Sequence, residues 1–571
     1  MRKFIYLIPV LFIALFFSAC DDFLNPDTNE ILLEKDYVGD YTELYSGYMG
    51  LAASLQSVAD NASFLEGLRG DLLEPTTNAT REMWDVYNYA DMDGNIFASP
   101  KGYYNVIINA NDYLAHVFDY RKNDSTSVSQ ATFEGLVGGA LRFKAWAYLQ
   151  IAKIYGEGVY FDDPVTAYGE IDKYPVLQFD DLISKCINLI EVGMNGIDGK
   201  GDVTWSAELF PGQGDSPTSL SWNKICPPKE CLLAELYLYK NEFEKAKDNC
   251  IALIKRGGEN EASYQANLSE YNGEWKQFGY TYVRKEHICL QFYDYSLHQT
   301  NRYIEYYSDT YPNKYYLKPT QATVNRFESQ TMSGIVKDKY RGSGVTYNYV
   351  DGNLVLYKFL QANLTSDNIY KNDVPIAVYR AGELHLFLIE ALIGLGRFQE
   401  ALAFMNDGVG AYYNSTTGKF NPPFAEFPTC LYRTSSTSEM ANRGIRGRVG
   451  LDPVGTYALI PGTALDTLNY MRRLDSLVVE ETLLELAGEG KAYYAMNRMA
   501  RRWSLSADKS WANHWIDADG TTDATNLWGT KVQSDWAAKV AAKYQSAQGT
   551  AISSILTSDL SNWFLKYPLR D

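Results

Sequence analysis

The sequence predicts a mostly α-helical single domain, made of about four helical hairpins and a large irregular, loop-rich half. Apolar residues recur at helical spacing in blocks that come in pairs, and a short polar or glycine-containing break separates the two members of a pair. Between the pairs lie long segments rich in Gly, Asn, Thr, Ser and Tyr, with few helical patterns: residues 60–100, 194–222, 259–375 and 408–470. A chain of 571 residues can bury one large core, and we assign residues 37–571 to one domain.

The two clearest hairpins share an internal pattern. One runs from Lys229 to Arg256 with a break at residues 240–241, and the other runs from Tyr379 to Asp407 with a break at residues 394–396. In both, an aromatic residue opens the second helix and alanine follows three positions later, which is typical of tetratricopeptide (TPR) hairpins. The small alanine lets the paired helices approach, and the aromatic ring packs on the neighbouring helix. Superposing the two hairpins aligns Phe243 with Phe398, Ala246 with Ala401 and Glu235 with Glu390.

Two further hairpins complete the prediction. Residues 133–155 pair with 180–192, and residues 37–59 pair with 102–117. Because the pairs lie far apart in sequence, they do not form a tandem solenoid. The TPR-like helices are therefore expected to be the scaffold, and the irregular segments the surface that carries specificity.

The N-terminus has the layout of a secretory signal peptide. Arg2 and Lys3 precede an uncharged apolar run from Phe4 to Phe17, which is shorter than the roughly 20 residues that span a bilayer. The small residues before Cys20 resemble the bacterial lipobox, which implies cleavage after residue 19 and acylation of Cys20. We therefore predict a signal peptide over 1–19 and a lipidated tether over 20–36.

The charge of the chain argues against nucleic acid as a partner. Its formal net charge is −18 and its pI is about 4.9, which argues against nucleic acid, because such binding depends on Lys and Arg neutralising phosphates. Neutral ligands fit this charge better. The aromatic content is unusual: the chain has 45 Tyr, 25 Phe and 11 Trp.

Six segments, in the same order, resemble motifs of the SusD/RagB family. The helix from Leu141 to Gly156 is similar to the family's LRAxxYxxLxxxYG helix. The other five are residues 103–111 (aromatic-x-x-Ile-x-x-Ala-Asn), 317–320 (L-x-P-S), 375–406 (PxxRxxExxLxxAEAxxxxG), 485–490 (ELAFEG) and 562–568 (LxPIP). The resemblance that these motifs carry extends over nearly the whole mature chain.

This resemblance implies a function at the cell surface. Members of the family are outer-membrane lipoproteins of Bacteroidetes-type bacteria that sit over a SusC-like TonB-dependent barrel. They capture an oligosaccharide, or a peptide in RagB-like branches, and deliver it for import without covalent chemistry or a cofactor. The TPR-like side would face the transporter, and the irregular side would hold the ligand.

Aromatic and polar residues of the irregular half are the candidate ligand-binding residues. A pyranose ring stacks on Trp or Tyr, while Asn, Asp and Arg bind its hydroxyl groups. We expect Trp84 and one of Tyr306 or Tyr307 to be the main platforms. The full candidate set is Asp71, Arg81, Trp84, Tyr87, Tyr89, Trp275, Tyr280, Tyr295, Tyr306 and Tyr307.

Signals for an enzyme or a metal site are weak. None of the five histidines forms an HExxH or a similar pair, and there is no G-x-S-x-G motif. We interpret His385 as a packed histidine, and Arg142, Arg380 and Glu390 as structural residues. Arg380 and Glu383 could pair on a helix surface. Two alternatives stay open: a TPR scaffold lipoprotein without a small ligand, and an extracellular glycosidase, which would need two carboxylates at a defined separation.

Overall fold

The computed structural model describes most of the domain that the sequence predicts. The predicted signal peptide, Cys20, the tether, Trp275 and Tyr280 lie outside the described residues. The described ranges are 41–90, 92–165, 173–193, 222–261, 264–266, 286–336, 338–361, 367–432, 442–455, 464–504, 509–512 and 534–567.

Helices dominate these ranges, and the strands are short. The helices are α1 (Tyr41–Gln56), α2 (Asn61–Arg69), α3 (Arg81–Tyr87), α4 (Lys101–Asn123), α5 (Gln130–Tyr155), α6 (Phe179–Glu191), α7 (Trp222–Ile225), α8 (Lys229–Tyr239), α9 (Phe243–Glu261), α10 (Tyr303–Tyr307), α11 (Gln321–Glu328), α12 (Ala381–Gly394), α13 (Phe398–Met405), α14 (Ala464–Glu485), α15 (Ala492–Arg502), α16 (Ser534–Ala541) and α17 (Ser546–Ser558). The strands are β1 (Leu73–Pro75), β2 (Glu157–Val159), β3 (Val176–Gln178), β4 (His287–Gln291), β5 (Leu317–Pro319), β6 (Thr331–Met332), β7 (Ile335–Val336), β8 (Asn348–Val350), β9 (Asn353–Val355), β10 (Ile376–Arg380), β11 (Tyr413–Asn414) and β12 (Lys419–Phe420). They pair two by two as β1–β5, β2–β3, β4–β10, β6–β7, β8–β9 and β11–β12, and each described pair is antiparallel.

The four predicted helical pairs are present. Helix α8 packs on α9, α12 on α13, α5 on α6, and α1 on α4. Helix α4 also packs on α5, α6 on α8, and α9 on α12, so the hairpins form one continuous bundle although they are far apart in sequence. No helix of the described residues is long and apolar enough to cross a membrane.

Small residues set the close approach of the helices, as the TPR-like pattern predicts. Ala246 and Ala401 are both buried. The ring of Phe243, at the start of α9, lies against Gly394 at the end of α12, where a Cβ atom would stand 2.4 Å from the ring. At Gly139 of α5, a Cβ atom would stand 2.4 Å from the Tyr48 hydroxyl of α1. Side chains larger than hydrogen would therefore push these helices apart.

Helix α5 lies at the centre of the bundle. The Ser129 side chain accepts a hydrogen bond from the Thr132 amide and caps the start of the helix, and Gly156 ends it with a φ of +74°, a conformation that glycine adopts at low cost. Every residue from Phe133 to Tyr155 is buried. The helix is therefore enclosed on all sides.

The irregular segments contain more helix than the sequence predicts. Helices α2 and α3 lie within residues 60–100, and α14 packs on α15 as a further hairpin. The apolar residues of α14 are diluted by charged ones such as Arg473, Asp475 and Glu481, which weakens the amphipathic pattern. Asp475 and Glu481 are nevertheless buried, because arginines pair with them.

A buried cluster of charges joins the helical half to the irregular half. Glu485, in α14, accepts hydrogen bonds from Arg380 (2.8 Å), Arg341 (3.0 Å) and Arg448, and Glu286 accepts from Arg380 (2.6 Å) and Arg448 (3.0 Å). All five side chains are essentially inaccessible to solvent. Burial opposes ionisation of Glu485, but Arg448, Arg380 and Arg341 outweigh it and hold the pKa of this carboxyl well below its ordinary value. The cluster fixes the irregular half onto α14 and β10.

The structure also tests two predictions about buried residues, one for His385 and one for Arg380 and Glu383. His385 is buried and its Nε2 lies 3.1 Å from the Tyr264 carbonyl, as expected for a packed histidine. The suggested pair between Arg380 and Glu383 was wrong: Arg380 belongs to the buried cluster, and Glu383 pairs with Lys491 at 3.0 Å. Long-range partners outweigh the local spacing, because helix α12 is buried on all sides.

Candidate functional site

The two segments that hold most of the candidate residues meet at a short antiparallel ladder. Strand β1 pairs with β5 in the register Leu73↔Pro319 and Pro75↔Leu317. Beyond the ladder, the Thr76 amide donates to the Tyr316 carbonyl (2.8 Å), and the Asn78 side chain donates to the Lys314 carbonyl (3.1 Å). The loop before α3 and the tyrosine-rich segment after α10 therefore form one surface, although more than 200 residues separate them.

Helix α10 carries tyrosines that lie in the core and a tyrosine that lies at this surface. The Tyr307 ring is fully buried, with its centroid 5.7 Å from that of Phe64 and 6.0 Å from that of Phe359. Tyr306 is half-buried, and its ring lies 4.8 Å from Phe64 and 5.2 Å from Tyr316. Of the two alternatives that the sequence left open, only Tyr306 has a ring edge available to a ligand, and Tyr307 is a core residue.

Arg302 fixes the start of α10. Its guanidinium donates to both carboxylate oxygens of Asp60, at 3.0 Å from Nε and 2.5 Å from a terminal nitrogen. The same guanidinium lies 4.9 Å from the Phe64 ring and 5.8 Å from the Tyr306 ring. Burial lowers the pKa of Arg302, but the Asp60 carboxylate outweighs this and holds the net pKa above the ordinary arginine value. This bidentate ion pair and the stacked rings hold Tyr306 in one orientation.

Tyr295 forms an exposed aromatic pair with Tyr370. The ring centroids are 5.4 Å apart with an interplanar angle of 72°, and 40% and 42% of the two residues are exposed. Asp294 caps the turn that carries Tyr295 by accepting a hydrogen bond from the Ser296 amide (2.8 Å). The Asn372 carbonyl accepts from the Asn301 amide at 2.8 Å, which ties the two segments together. The pair is thus a preformed apolar surface open to solvent.

Two further exposed tyrosines lie on loops that are hydrogen-bonded to neighbouring segments. The loop that carries Tyr311, which is 89% exposed, is held by Asn313, whose side chain donates to the Ile369 carbonyl next to Tyr370 (2.8 Å). Tyr349 lies in the β8–β9 hairpin, and the side chain of Asn353 in that hairpin donates to Asp309 at 3.1 Å. We call Tyr295, Tyr311, Tyr349 and Tyr370 the aromatic face.

Helix α3 presents Trp84 separately from the aromatic face. Trp84 is 37% exposed and makes an edge contact with Tyr87 at 5.7 Å, whereas Tyr87 is buried against Tyr544 at 4.8 Å. Arg81 extends into solvent, with its Nε 3.7 Å from Asp85. Among the described residues no ring contact joins Trp84 to Tyr306, so the two expected platforms are not one cluster.

Asp71 and Tyr89 have structural partners. Asp71 is fully buried and forms an ion pair with Arg326, so its carboxylate does not face solvent. The Tyr89 hydroxyl donates to the Arg69 carbonyl (2.6 Å), and the Arg69 guanidinium stacks on the Tyr89 ring at 3.6 Å. Three residues that the sequence predicts as ligand contacts are therefore buried instead: Asp71, Tyr87 and Tyr307.

Sequence reasoning missed Tyr370, Tyr311 and Tyr349 as site residues. Most of the candidate tyrosines were chosen from the tyrosine-rich stretch at residues 272–317. Tyr349 and Tyr370 lie outside that stretch. The turn signals Asp351-Gly352 and Asn368 mark both as loop residues, which is the one sequence feature that could have found them. No group of three or more His, Cys, Asp or Glu side chains that could hold a metal ion occurs among the described residues.

Solved structures share this fold across nearly their whole length. A SusD superfamily protein from Bacteroides vulgatus ATCC 8482 superposes with a TM-score of 0.55 at 13% identity, covering 86% of this chain and 95% of that chain. A laminarin-binding SusD-like protein gives 0.52 at 14% identity, with 86% and 95% covered. Surface glycan-binding protein A from Bacteroides uniformis gives 0.53 at 15% identity, with 87% and 95% covered.

These likenesses establish the fold class. The chain has the SusD-like fold, a mostly helical architecture with TPR-like hairpins, as the sequence motifs predict. No protein-family model matches the sequence, and no curated protein matches it significantly. The order of short motifs therefore predicts a fold that overall sequence similarity does not reveal.

Proposed function

We propose that the protein is a surface-exposed lipoprotein of the outer membrane that captures an oligosaccharide and delivers it to a SusC-like TonB-dependent transporter. The observation that carries the proposal is the exposed pair Tyr295–Tyr370, together with the exposed Tyr311, whose loop is hydrogen-bonded to the segment of Tyr370. Monomeric proteins rarely leave several large aromatic side chains exposed together unless the patch binds something. Phenol rings fixed by turns offer flat apolar surfaces to a sugar ring and lose little side-chain entropy on binding.

Three further observations support this function. Two of the similar structures are described as laminarin-binding and surface glycan-binding proteins. The lipobox-like end of the N-terminal apolar run would anchor the chain through Cys20. The acidic net charge suits a neutral glycan rather than a polyanion bound by bulk charge.

Calorimetry on the soluble chain, residues 21–571, against neutral poly- and oligosaccharides tests the proposal. We expect saturable binding without cleavage of the glycan. Tyr370→Ala should weaken it about 5- to 30-fold, since a buried aromatic contact contributes about 1–2 kcal/mol. Tyr41→Ala is the matched control, because Tyr41 is equally exposed (43%) but lies on α1 in the helical half.

The other outcomes separate the alternatives. Cleavage of the bound glycan would make the protein a glycosidase. Binding of peptides but not glycans would place it with RagB-like uptake proteins. Failure to bind either would favour a TPR scaffold without a small ligand.

A further inference from the structure

A cavity elsewhere in the molecule shares no residue with the aromatic face. It has a volume of about 610 Å³ and is formed where the end of α5, the start of α6 and the C-terminal segment 555–567 meet. Its size falls within the roughly 300–1,000 Å³ of small-molecule sites. Three basic residues (Arg69, Arg501, Lys566) and two acidic residues (Glu157, Asp180) border it.

Arg69 is a buried cation without a counter-ion among the described residues. It is 5% exposed; one terminal nitrogen donates to the carbonyls of Asn562 (2.6 Å) and Phe564 (3.2 Å), and Nε has no hydrogen-bond partner in the described part of the chain. The nearby acidic side chains are engaged elsewhere: Glu66 accepts from the Ala492 and Tyr493 amides, and Asp71 pairs with Arg326. A buried guanidinium that contacts only neutral groups is costly, and an anion in the cavity would offset that cost.

Arg501 is positioned at the same cavity. Its guanidinium lies 3.9 Å from the Phe179 ring and 6.0 Å from the Phe564 ring, and it donates to Asp180 at 3.0 Å. Glu157 accepts from the Gln178 side chain (2.8 Å). Stacking fixes the plane of the guanidinium, which prepares it to bind a planar carboxylate.

We propose that this cavity binds the carboxylate of a sugar acid, a hexuronic acid residue at the end of an oligosaccharide or free in solution. The carboxylate neutralises Arg69 with the help of Arg501. Apolar walls from Phe179, Ile555 and Leu560 accommodate the sugar ring, and Ser561 lines the cavity with a polar group for its hydroxyls. The inference does not rest on the proposed function, because it concerns different residues and a charged ligand.

Calorimetry of the full-length lipoprotein in detergent at low salt, with glucuronic acid, glucose and acetate as probes, tests this site. We expect glucuronic acid to bind saturably, and glucose and acetate to bind at least tenfold more weakly. Arg501→Ala should weaken glucuronic acid at least tenfold. The matched control is Arg397→Ala: Arg397 has similar exposure and is also paired with a carboxylate, Glu400 at 2.8 Å, but lies at the α12–α13 turn.

A second variant guards against a folding defect. Arg69→Lys keeps the charge and removes the forked donor, and it should also weaken glucuronic acid while the circular dichroism spectrum stays unchanged. The proposal is overturned if glucuronic acid binds no better than glucose or acetate. It is equally overturned if Arg501→Ala binds glucuronic acid as the unmodified protein does.

Discussion

Tyrosines that are neighbours in sequence have opposite environments in this protein. Tyr306 and Tyr307 are adjacent, yet one borders the surface and the other lies in the core. A tyrosine suits both places, because its ring is apolar and its hydroxyl is polar. Composition could therefore indicate that aromatics form the binding surface, but it could not indicate which ones.

Glu66 provides a test of a single buried carboxyl group. One oxygen accepts from the Ala492 amide (3.0 Å) and the Tyr493 amide (3.3 Å), and the other has no partner among the described residues. Burial raises the pKa of Glu66 to about 8, against the lowering effect of these amides. The folded chain therefore holds this proton at pH values where the unfolded chain, with an ordinary pKa of 4.5, has released it.

The predicted consequence is a loss of stability as pH rises. Between about pH 5 and pH 8 the folded state binds more protons at Glu66 than the unfolded state, so the free energy of unfolding falls. Glu66→Gln mimics the protonated group and should gain about 1–4 kcal/mol relative to the unmodified protein over this interval. Urea unfolding of both proteins at pH 5 and pH 8 measures their free energies of unfolding. If the difference between the two proteins is the same at both pH values, the raised pKa of Glu66 is contradicted.

At the scale of elements, the TPR-like contact between α9 and α12 depends on Gly394. We predict that Gly394→Ala lowers the free energy of unfolding by about 1–3 kcal/mol, because the added methyl group meets the Phe243 ring. Gly50→Ala is the control: it lies in α1 with open space around its Cβ position, and should be neutral or stabilising by up to about 1 kcal/mol. If both substitutions change the free energy of unfolding in urea by the same amount, the contact between Gly394 and the Phe243 ring is not tight.

The buried charge cluster around α14 gives a second prediction at this scale. Glu485→Gln should destabilise by about 3–5 kcal/mol, because Arg341, Arg380 and Arg448 keep their charges in an interior that no longer neutralises them. Glu480→Gln, one turn away on the same helix and partly exposed, should cost only about 0–1 kcal/mol. The midpoint of thermal unfolding compares them, and a small loss for Glu485→Gln would mean that the cluster is not what joins the two halves.

The sequence predicts some elements much better than others. The α8–α9 and α12–α13 hairpins carry regular apolar spacing and marked breaks, and their predicted limits agree closely with the structure. Hairpin α14–α15 was not predicted, because its buried positions include Asp475, Glu481 and Arg498. Their burial depends on partners such as Arg502 and Glu390, which are distant in sequence. Local hydrophobic patterns cannot report such pairs.

At the scale of the whole molecule, the order of motifs predicts the fold, and the structure brings their segments together. The L-x-P-S-like step at 317–320 forms the β1–β5 ladder, and the motif over 375–406 contains β10, α12 and α13. The candidate ligand-binding surface was predicted less well, because it is assembled from loops whose mutual positions follow from the fold as a whole. The segments of Tyr295 and Tyr370, for example, are joined by the hydrogen bond from the Asn301 amide to the Asn372 carbonyl, which no local sequence pattern indicates.

The proposed lipid anchor concerns the whole molecule in its membrane. We predict that Cys20→Ser abolishes incorporation of radiolabelled palmitate and releases the protein from the outer-membrane fraction, since Cys20 is the proposed lipidation site. Cys430→Ser, which alters a partly buried thiol in the domain, should leave both properties unchanged. Persistent membrane attachment of Cys20→Ser would contradict the proposed anchoring.

A crystal structure of the protein with its best-binding neutral oligosaccharide would show whether the aromatic face captures a glycan. We expect an intact sugar ring stacked on Tyr295 or Tyr370, with Tyr311 or Tyr349 against a neighbouring ring. An oligosaccharide bound elsewhere on the protein, with the aromatic face empty, would contradict it.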